Sequence, residues 1–546
     1  MWQQVYDPLH SSALSALVAA VPIIFFLLGL TVLKLSGIKS AVISLVLALV
    51  IGCGIFGMPV TAGAGSIIYG FLSGLWPIGW IVLMAVWLYR ISVRSGGFEI
   101  VRSSISSIST DQRIQMLLIA FCFGGFLEGA AGFGIPIAIC AALLVSLGFN
   151  PLKAAMFALI ANVSSGAYGA IGIPVTTAAT RGNVDLHGLS TELVLVIQII
   201  AALIPVLLVA IQDGIRGIRE VGLVALIVGL VYSGGQAVLL AGLGNPELVD
   251  IIPPLLALVV LALIMQKWQP KNLFREPTAP SLEEVEAQQS VKYSGGEILK
   301  AWSPFVYLSV VILLWSTAFK PLFAKGGLLA FSNITFPVPW LHKSIQQVAP
   351  IVAHPKAIDV TYTWSIIGAS GTAILVAAII TILTSSISWG EAIEELGATW
   401  KQLKTPIIMI CLVMSVANVM NYAGMITSIA LAVAAVGAIF PLLSPIIGWI
   451  GVFVTGSVVN NNILFAGLQA TTAQQISVNP TLLVASNTAG GVMAKIVSPQ
   501  SIAIAAASVN SAGQESKITS MAIKYSAALL VVTCVWVYVL SLVMPS

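Results

Sequence analysis

"NTAGGVMAKIVSPQSIAIAAA", residues 487–507, places a lysine inside a stretch that otherwise has the composition of a membrane helix. A charged side chain near the bilayer centre is costly, so Lys495 should have a partner or face a water-filled cavity. Ser498 is a favourable N-cap and Pro499 a favourable first helical residue, which indicates that one helix ends before this pair and another begins. The stretch therefore predicts a broken membrane helix.

The composition of the whole chain agrees with this prediction. Of its 546 residues, 58% are hydrophobic and 8% are charged, whereas about a quarter of the residues in a soluble domain are charged. Apolar runs of roughly 17 to 25 residues, the length that crosses a bilayer, recur along the chain and lack the period of two of a β-barrel strand. We therefore predict an all-α polytopic membrane protein with about 12 to 14 transmembrane helices, some of them broken or re-entrant.

Composition also argues against several classes of function. The net charge of +4 is small and lies in connecting loops, so we expect no nucleic-acid partner. The five cysteines are scattered without paired spacing, and no Asp-rich or His-Glu cluster lies in a predicted helix. We expect no metal, no cofactor and no enzymatic activity.

A hydrophilic stretch divides the chain into two halves. Residues 1–266 and 301–546 each hold a series of apolar spans, and we expect the linker, residues 267–300, to be a partly disordered cytoplasmic loop. Lysine and arginine are concentrated in alternate loops, such as residues 90–113 and 213–220. By the positive-inside rule, this pattern places the N-terminus outside.

The spacing of the basic loops requires an unusual segment in the first half. Residues 114–149 as one helix would be about 50 Å long, which is too long for one crossing. The flanking basic loops require an odd number of crossings over residues 114–180. We predict a re-entrant hairpin that turns at "EGAAGFG", residues 128–134, followed by one crossing.

The two halves share a candidate internal repeat. Residues 124–132 align with residues 451–459, and residues 162–178 align with residues 487–503. The second alignment superposes these pairs: Asn162 and Asn487, Gly166 and Gly491, Pro174 and Pro499. Chance similarity between membrane helices is the alternative, but paired Gly/Pro interruptions are typical of a transporter's midplane site, where the repeat is commonly inverted.

The interruptions themselves mark the expected substrate path. In hydrocarbon, backbone that leaves a helix is tolerated only where it is buried in protein or lines a polar cavity. We expect the helix breaks at these residues: Gly129, Gly132, Gly134, Pro136 and Pro174 in the first half, and Gly456, Gly490, Gly491 and Pro499 in the second.

A small carboxylate is the substrate that these segments favour. Lys495 would attract the negative charge, and the helix after Ser498 would present free backbone amides, with Gln500 and Ser501 in its first turn. The other candidate substrate-binding residues are polar side chains near the breaks: Asn460, Asn461, Asn462, Asn487, Thr176 and Thr177. The alternatives are that Lys495 snorkels to the membrane surface and that the asparagines only satisfy exposed backbone.

Glu128 is the carboxylate within the first motif, and we expect it to carry a coupling proton. A glutamate in a low-dielectric site can hold a proton near neutral pH. The alternative is a structural ion pair with Lys495 or with Arg181.

Three motifs closely resemble the bacterial L-lactate permease family, and the resemblance extends over most of the chain. They are "FLEGAAGFGIPIAI" (126–139), "LFAGLQATTAQQI" (464–476) and "GGVMAKIVSPQSIAIA" (490–505). The resemblance implies a multi-pass transporter of the bacterial plasma membrane that takes up L-lactate, with D-lactate and glycolate, together with a proton. A sodium-coupled carboxylate transporter is the alternative, because unwound carbonyls and Asn, Ser and Thr oxygens can bind Na⁺.

Overall fold

A computed structural model describes residues 1–132, 134–276, 279, 293–352, 354–511 and 513–544. The central part of the linker that is predicted to be partly disordered lies outside these residues. Among those described, ten helices are long and apolar enough to cross a membrane, and four shorter apolar helices accompany them. The predicted all-α membrane fold is therefore confirmed.

Within the described residues, the first half contains thirteen α-helices and the second half ten, and several are interrupted by short π- or 3₁₀-helical turns. Those of the first half are α1 Ser12–Thr31, α2 Gly37–Gly54, α3 Val60–Ser73, α4 Trp80–Arg94, α5 Gly97–Ser106, α6 Gln112–Met116, α7 Gly124–Ala130, α8 Ile135–Ser146, α9 Pro151–Ala161, α10 Val163–Gly166, α11 Ile173–Gly182, α12 Leu186–Ala237 and α13 Ile252–Lys267.

The second half continues with ten further helices. They are α14 Gly295–Ser316, α15 Lys320–Phe323, α16 Ser370–Thr384, α17 Trp389–Tyr422, α18 Met425–Ala434, α19 Phe440–Thr455, α20 Val458–Gln475, α21 Pro480–Lys495, α22 Pro499–Ser508 and α23 Glu515–Val543. Helix α14 begins before residue 301, within the predicted linker, because Ser294 and Glu297 form a reciprocal capping box at its start.

The predicted hairpin is present, and its re-entrant course in the membrane stays a prediction. Its two arms are residues 112–130 and α8, and we call this segment hairpin 1. The Gln112 side-chain amide donates to the Leu147 carbonyl at 3.1 Å, so the two ends of hairpin 1 lie together. Halfway along the arms, the Cys140 thiol donates to the Ile119 carbonyl at 3.2 Å. The turn falls at Gly132–Gly134, where both glycines have positive φ.

The second half contains a matching hairpin formed by α19 and α20, which we call hairpin 2. The Ser444 hydroxyl donates to Gln469 Oε1 at 2.7 Å, and the Gln469 amide donates back to the Ser444 carbonyl at 3.2 Å. Its turn is at Gly456, which has a φ of +67°, and Ser457 caps α20. Each hairpin is followed by a helix that Asn-Pro opens: Asn150 caps α9 and Asn479 caps α21.

Helix α12 is two antiparallel segments. A straight helix over residues 186–237 would be about 78 Å long, far longer than a bilayer is thick. The backbone dihedral angles at Asp213 and Gly214 are not helical. A Cβ on Gly229 would collide with the Ala202 carbonyl. The chain therefore reverses direction at Asp213 and Gly214, which brings Gly229 back against Ala202.

A buried cation holds this reversal against the base of hairpin 1. The Arg113 guanidinium is fully buried and lies 2.8 Å from each of Asp111, Asp213 and Glu220. It also donates to the Asn272 carbonyl at 2.8 Å. Charged partners on three sides offset the cost of burying the guanidinium, so this cluster fixes the reversal of α12 beside the first residues of the linker.

Two helices of the second half are in direct backbone contact. A Cβ on Gly448 of α19 would collide with the Asn487 carbonyl of α21, and a Cβ on Gly490 of α21 would collide with the Pro445 carbonyl of α19. Small residues at such crossings let membrane helices approach closely.

Short strands also occur, although the sequence predicts only a loop over residues 320–362. Strand β1, Trp2–Gln3, pairs in parallel with β3, Ile345–Gln347, which pairs with β4, Lys356–Ala357. Strand β2, Asn333–Pro337, pairs antiparallel with β5, Thr361–Ser365. The N-terminal segment is thereby attached to the second half of the chain.

Candidate functional site

Four helices begin around one cavity of about 180 Å³, which we call the central cavity. They are α8, α11, α20 and α22, and each follows one of the breaks described above. The cavity is lined by Glu128, Gly134, Ile135, Gly166, Gly169, Ala170, Ile173, Pro174, Gln402, Leu403, Pro406, Gly456, Ser457, Val458, Val459, Lys495, Gln500, Ser501 and Ile504. Helix N-termini carry partial positive charge and free amides, so their convergence favours an anion.

An ion pair lies in the wall of the central cavity. Lys495 Nζ is 2.7 Å from Glu128 Oε1, and the two side chains are 11% and 3% exposed. The second carboxylate oxygen of Glu128 accepts a hydrogen bond from the Asn162 amide at 2.8 Å. Gly166 leaves room for the lysine stem, because a Cβ there would lie 3.2 Å from Lys495 Cδ. Lys495 is therefore buried with a partner and does not snorkel to a surface.

The N-terminus of α22 has the predicted form. Ser498 Oγ accepts from the Ser501 backbone amide at 3.3 Å and donates to Ser501 Oγ at 2.8 Å. Gln500 packs directly against the tip of hairpin 2, since a Cβ on Gly456 would collide with its side chain. The tip of hairpin 2 and the start of α22 therefore share one wall of the cavity.

The predicted asparagines lie behind this wall. Asn462 donates to the Pro174 carbonyl at 3.0 Å, and its own Oδ1 accepts from Asn487 at 2.9 Å and from Thr488 at 3.1 Å. Asn461 donates to the Asn487 carbonyl at 3.3 Å. Asn460 is buried, and its Oδ1 has no hydrogen-bond partner among the residues the structure describes. Asn461, Asn462 and Asn487 thus join α11, α20 and α21. None of the four asparagines lines the central cavity.

Thr176 and Thr177 also lie away from the central cavity. Both line a separate cavity near Trp76 and Tyr362. The Thr176 hydroxyl donates back to the Ile173 carbonyl at 3.1 Å within its own helix.

Three of the predicted helix breaks are wrong. Gly490 and Gly491 lie inside α21, and Gly129 lies inside α7. Their function is close packing: a Cβ on Gly490 would collide with the Pro445 carbonyl, and one on Gly129 would collide with the Asp250 carbonyl. The remaining predicted residues do lie at interruptions: Gly132, Gly134 and Pro136 at the turn of hairpin 1, Gly456 at that of hairpin 2, and Pro174 and Pro499 at helix starts.

Comparison with known proteins identifies the family of this chain. A sequence profile of the L-lactate permease family matches residues 15–544. The chain belongs to the L-lactate permease family. It is therefore a multi-pass membrane protein, and its relatives are permeases and not enzymes.

Two curated relatives show the range of this family. The L-lactate permease of Halalkalibacterium halodurans is 49% identical over 547 residues, which cover 99% of this chain and 100% of that protein. The glycolate permease GlcA of Escherichia coli K12 is 44% identical over 537 residues, or 96% of this chain and 95% of that protein. Among solved structures, MtrF of Neisseria gonorrhoeae aligns with a TM-score of 0.45 and 14% identity over 87% of this chain and 83% of its own.

In this member of the L-lactate permease family, sequence reasoning missed two parts of the site. Gln402, Leu403 and Pro406 of α17 close one side of the central cavity, and no motif marked them. Asp250 is 1% exposed and lies against Gly129, next to Glu128; its Oδ1 accepts from the Gln236 amide at 2.8 Å. The sequence offered one indication of a buried role for Asp250: this acidic residue directly precedes the apolar run "IIPPLLALVV".

Proposed function

We propose that this protein is a proton-coupled lactate transporter of the bacterial plasma membrane, with its N-terminus outside, that also carries D-lactate and glycolate. The observation that supports the proposal is the Glu128–Lys495 ion pair, 2.7 Å apart, at the meeting point of four helix N-termini. Homologues named as L-lactate and glycolate permeases support the substrate class.

The ion pair couples the proton to the carboxylate. While Glu128 is ionised, it neutralises Lys495, and an incoming carboxylate would meet a site without net charge. Protonation of Glu128 removes the counter-ion and leaves the ammonium free to bind the substrate carboxylate. The helix starts at Ser457 and Ser498 supply further amide donors, and Gln500 provides an amide that can reach a 2-hydroxyl group.

The net charge of the site explains why the two species move together. The empty site holds one glutamate anion and one lysine cation, so its net charge is zero. The loaded site holds neutral Glu128, the Lys495 cation and the substrate anion, so its net charge is again zero. A site with only a proton or only lactate carries a unit charge, which costs at least about 2.5–3.5 kcal/mol at the bilayer centre. That cost suppresses half-loaded moving states by about 100-fold.

We also propose that the structural repeat is inverted. Hairpin 1 is joined to α12 at its reversal, through Arg113 and Asp213. Hairpin 2 is joined to the start of α12, because the Asn479 amide donates to Glu192 Oε1 at 3.0 Å. From Glu192 to Asp213 is about 32 Å along a helix, close to the thickness of the hydrocarbon core. The two hairpins thus open toward opposite ends of one crossing, which supports the proposal.

Uptake of labelled lactate into proteoliposomes tests the proposed function. An imposed pH gradient should drive accumulation in sodium-free buffer, and unlabelled glycolate should compete more strongly than pyruvate or succinate. Accumulation that requires sodium and does not depend on the pH gradient would instead establish the sodium-coupled alternative.

A further inference from the structure

A second cavity, of about 400 Å³, lies toward the C-terminal ends of α11 and α20, two of the helices that start at the central cavity. We call it the vestibule, and its polar lining includes Tyr69, Arg181, Asn421, Tyr422, Thr471 and Gln474. Helix α11 has Ile173 at the central cavity and Arg181 at the vestibule, about 12 Å further along its axis. Helices α17 and α20 likewise line both cavities.

A polar barrier separates the two cavities. Asn462 is fully buried on α20 between the residues that line the central cavity and those that line the vestibule. Its hydrogen bonds to Pro174, Asn487 and Thr488 connect three helices at this level. A path that joins the two cavities along α11 and α20 therefore runs past this side chain.

Arg181 has no counter-ion among the residues that the structure describes. Its guanidinium donates to Asn418 Oδ1 at 2.8 Å and to the Met414 carbonyl at 3.3 Å. Its Nε is buried and has no hydrogen-bond partner in the described part of the chain, where no carboxylate lies within ion-pair distance of the guanidinium either. The acidic residue of the vestibule, Asp359, is an exposed rim residue 3.5 Å from Lys343.

A favourable position at the end of α11 does not account for this arrangement. A cation near a helix C-terminus gains about 0.3–1 kcal/mol, which a lysine or a solvated arginine would gain equally. A guanidinium has five N–H donors, and the two bonds described for Arg181 use two of them, so Arg181, which lines the vestibule, keeps donors on its terminal nitrogens for a carboxylate. Within membrane proteins, such unpaired charges mark the path of a substrate.

We propose that the vestibule is a second carboxylate-binding site, in which Arg181 holds the substrate anion on the opposite side of the Asn462 barrier from Lys495. This inference rests on the proposed function for its substrate, a small monocarboxylate. It assigns two stations to the transport path, one at each end of α11, with different cations.

Protection of an introduced thiol tests the vestibule site directly. Thr471→Cys, in a Cys53→Ser background, places a reactive thiol in the wall of the vestibule, which Arg181 also lines. Cys53 is the one cysteine in the described chain that is not buried. The rate of labelling by a maleimide is measured in detergent, with lactate and with uncharged lactamide at matched ionic strength. Lactate should slow labelling about twofold at a concentration equal to its Kd, and lactamide should not.

Substitutions at two positions, Lys495 and Arg181, assign the protection to one cation. Protection should persist after Lys495→Ala, disappear after Arg181→Gln, and be partly retained after Arg181→Lys. Protection that survives Arg181→Gln but is lost with Lys495→Ala would overturn the inference, because binding at the central cavity would then explain it. Equal effects of lactate and lactamide on the parent would also overturn it, and this comparison needs no change at residue 181.

Lactate uptake by the parent protein is measured in parallel. Uptake without thiol protection refutes the vestibule site alone, whereas a parent that takes up no lactate refutes the proposed function separately.

Discussion

Glu128→Gln is expected to convert a proton-coupled transporter into one that carries the lactate anion alone, so that a pH gradient no longer drives accumulation. The substitution keeps the size of the side chain and can keep the hydrogen bond from Asn162, which donates to Oε2 at 2.8 Å. It removes the charge, so Lys495 is left as it is when Glu128 is protonated. Exchange of labelled lactate should continue, because the loaded site is unchanged in charge.

The size of the effect follows from the charge of the site. In the parent, a difference of about one pH unit is worth about 1.4 kcal/mol per proton, which can hold lactate about tenfold more concentrated inside. In the variant this ratio should fall to about one, because no proton moves. The empty variant site also has a charge of +1, so a potential of about 100 mV acts on it with about 2.3 kcal/mol. An inside-positive potential should then accumulate lactate by up to about 50-fold.

The assay is lactate uptake in proteoliposomes in which the pH gradient and the membrane potential are set independently. Glu192→Gln is the matched control, since Glu192 is also buried and accepts a hydrogen bond from an asparagine, but does not line the central cavity. Tenfold accumulation by Glu128→Gln under a pH gradient alone would refute the reasoning and make Asp250 the next candidate proton carrier. Loss of exchange as well as accumulation would show that the ion pair is needed to hold the site together.

Three further predictions concern other parts of the structure. Lys495→Ala should abolish saturable lactate uptake and Lys495→Arg should restore only part of it, because Gly166 leaves limited room beside the lysine stem; normal uptake by Lys495→Ala would exclude a direct role in binding. Gly456→Ala should reduce uptake far more than Gly437→Ala in the same assay, because both glycines have a φ near +67° but only at Gly456 would a Cβ collide with Gln500. Arg113→Met should destabilise the folded protein by about 3–5 kcal/mol, because it leaves buried carboxylates without their cation; thermal unfolding in detergent measures this, and an unchanged Tm would contradict it.

The sequence was sufficient for those features that depend on local composition. Membrane helices, the hairpin turn at residues 128–134 and the helix start at Ser498–Pro499 all follow from hydrophobicity, glycine and proline, and the structure confirms them. The motifs also led to the correct family. The division into halves at residues 267–300 stays a prediction, since the central part of that linker lies outside the described residues.

Features that depend on tertiary contacts could not be predicted in the same way. Glycine has two uses, and the sequence does not distinguish Gly456, which turns the chain, from Gly490, which lets two helices touch. Glu128 and Lys495 are far apart in the chain, so the sequence could not show whether Glu128 pairs with Lys495 or with Arg181. The structure shows the pair with Lys495. The strands after residue 332 were not predicted because they are short and the segment contains several prolines.

The backbone contact between α19 and α21 restricts how the protein can change conformation. Gly448 and Gly490 leave no layer of side chains between these helices, so neither helix can slide along the other without a steric clash. Hinge motion must therefore occur outside this pair, which rotates or translates as a rigid body and carries Lys495 and the tip of hairpin 2 with it. Spin labels on the outer faces of α19 and α21 should keep the same separation in every state of the cycle, while their distances to hairpin 1 change.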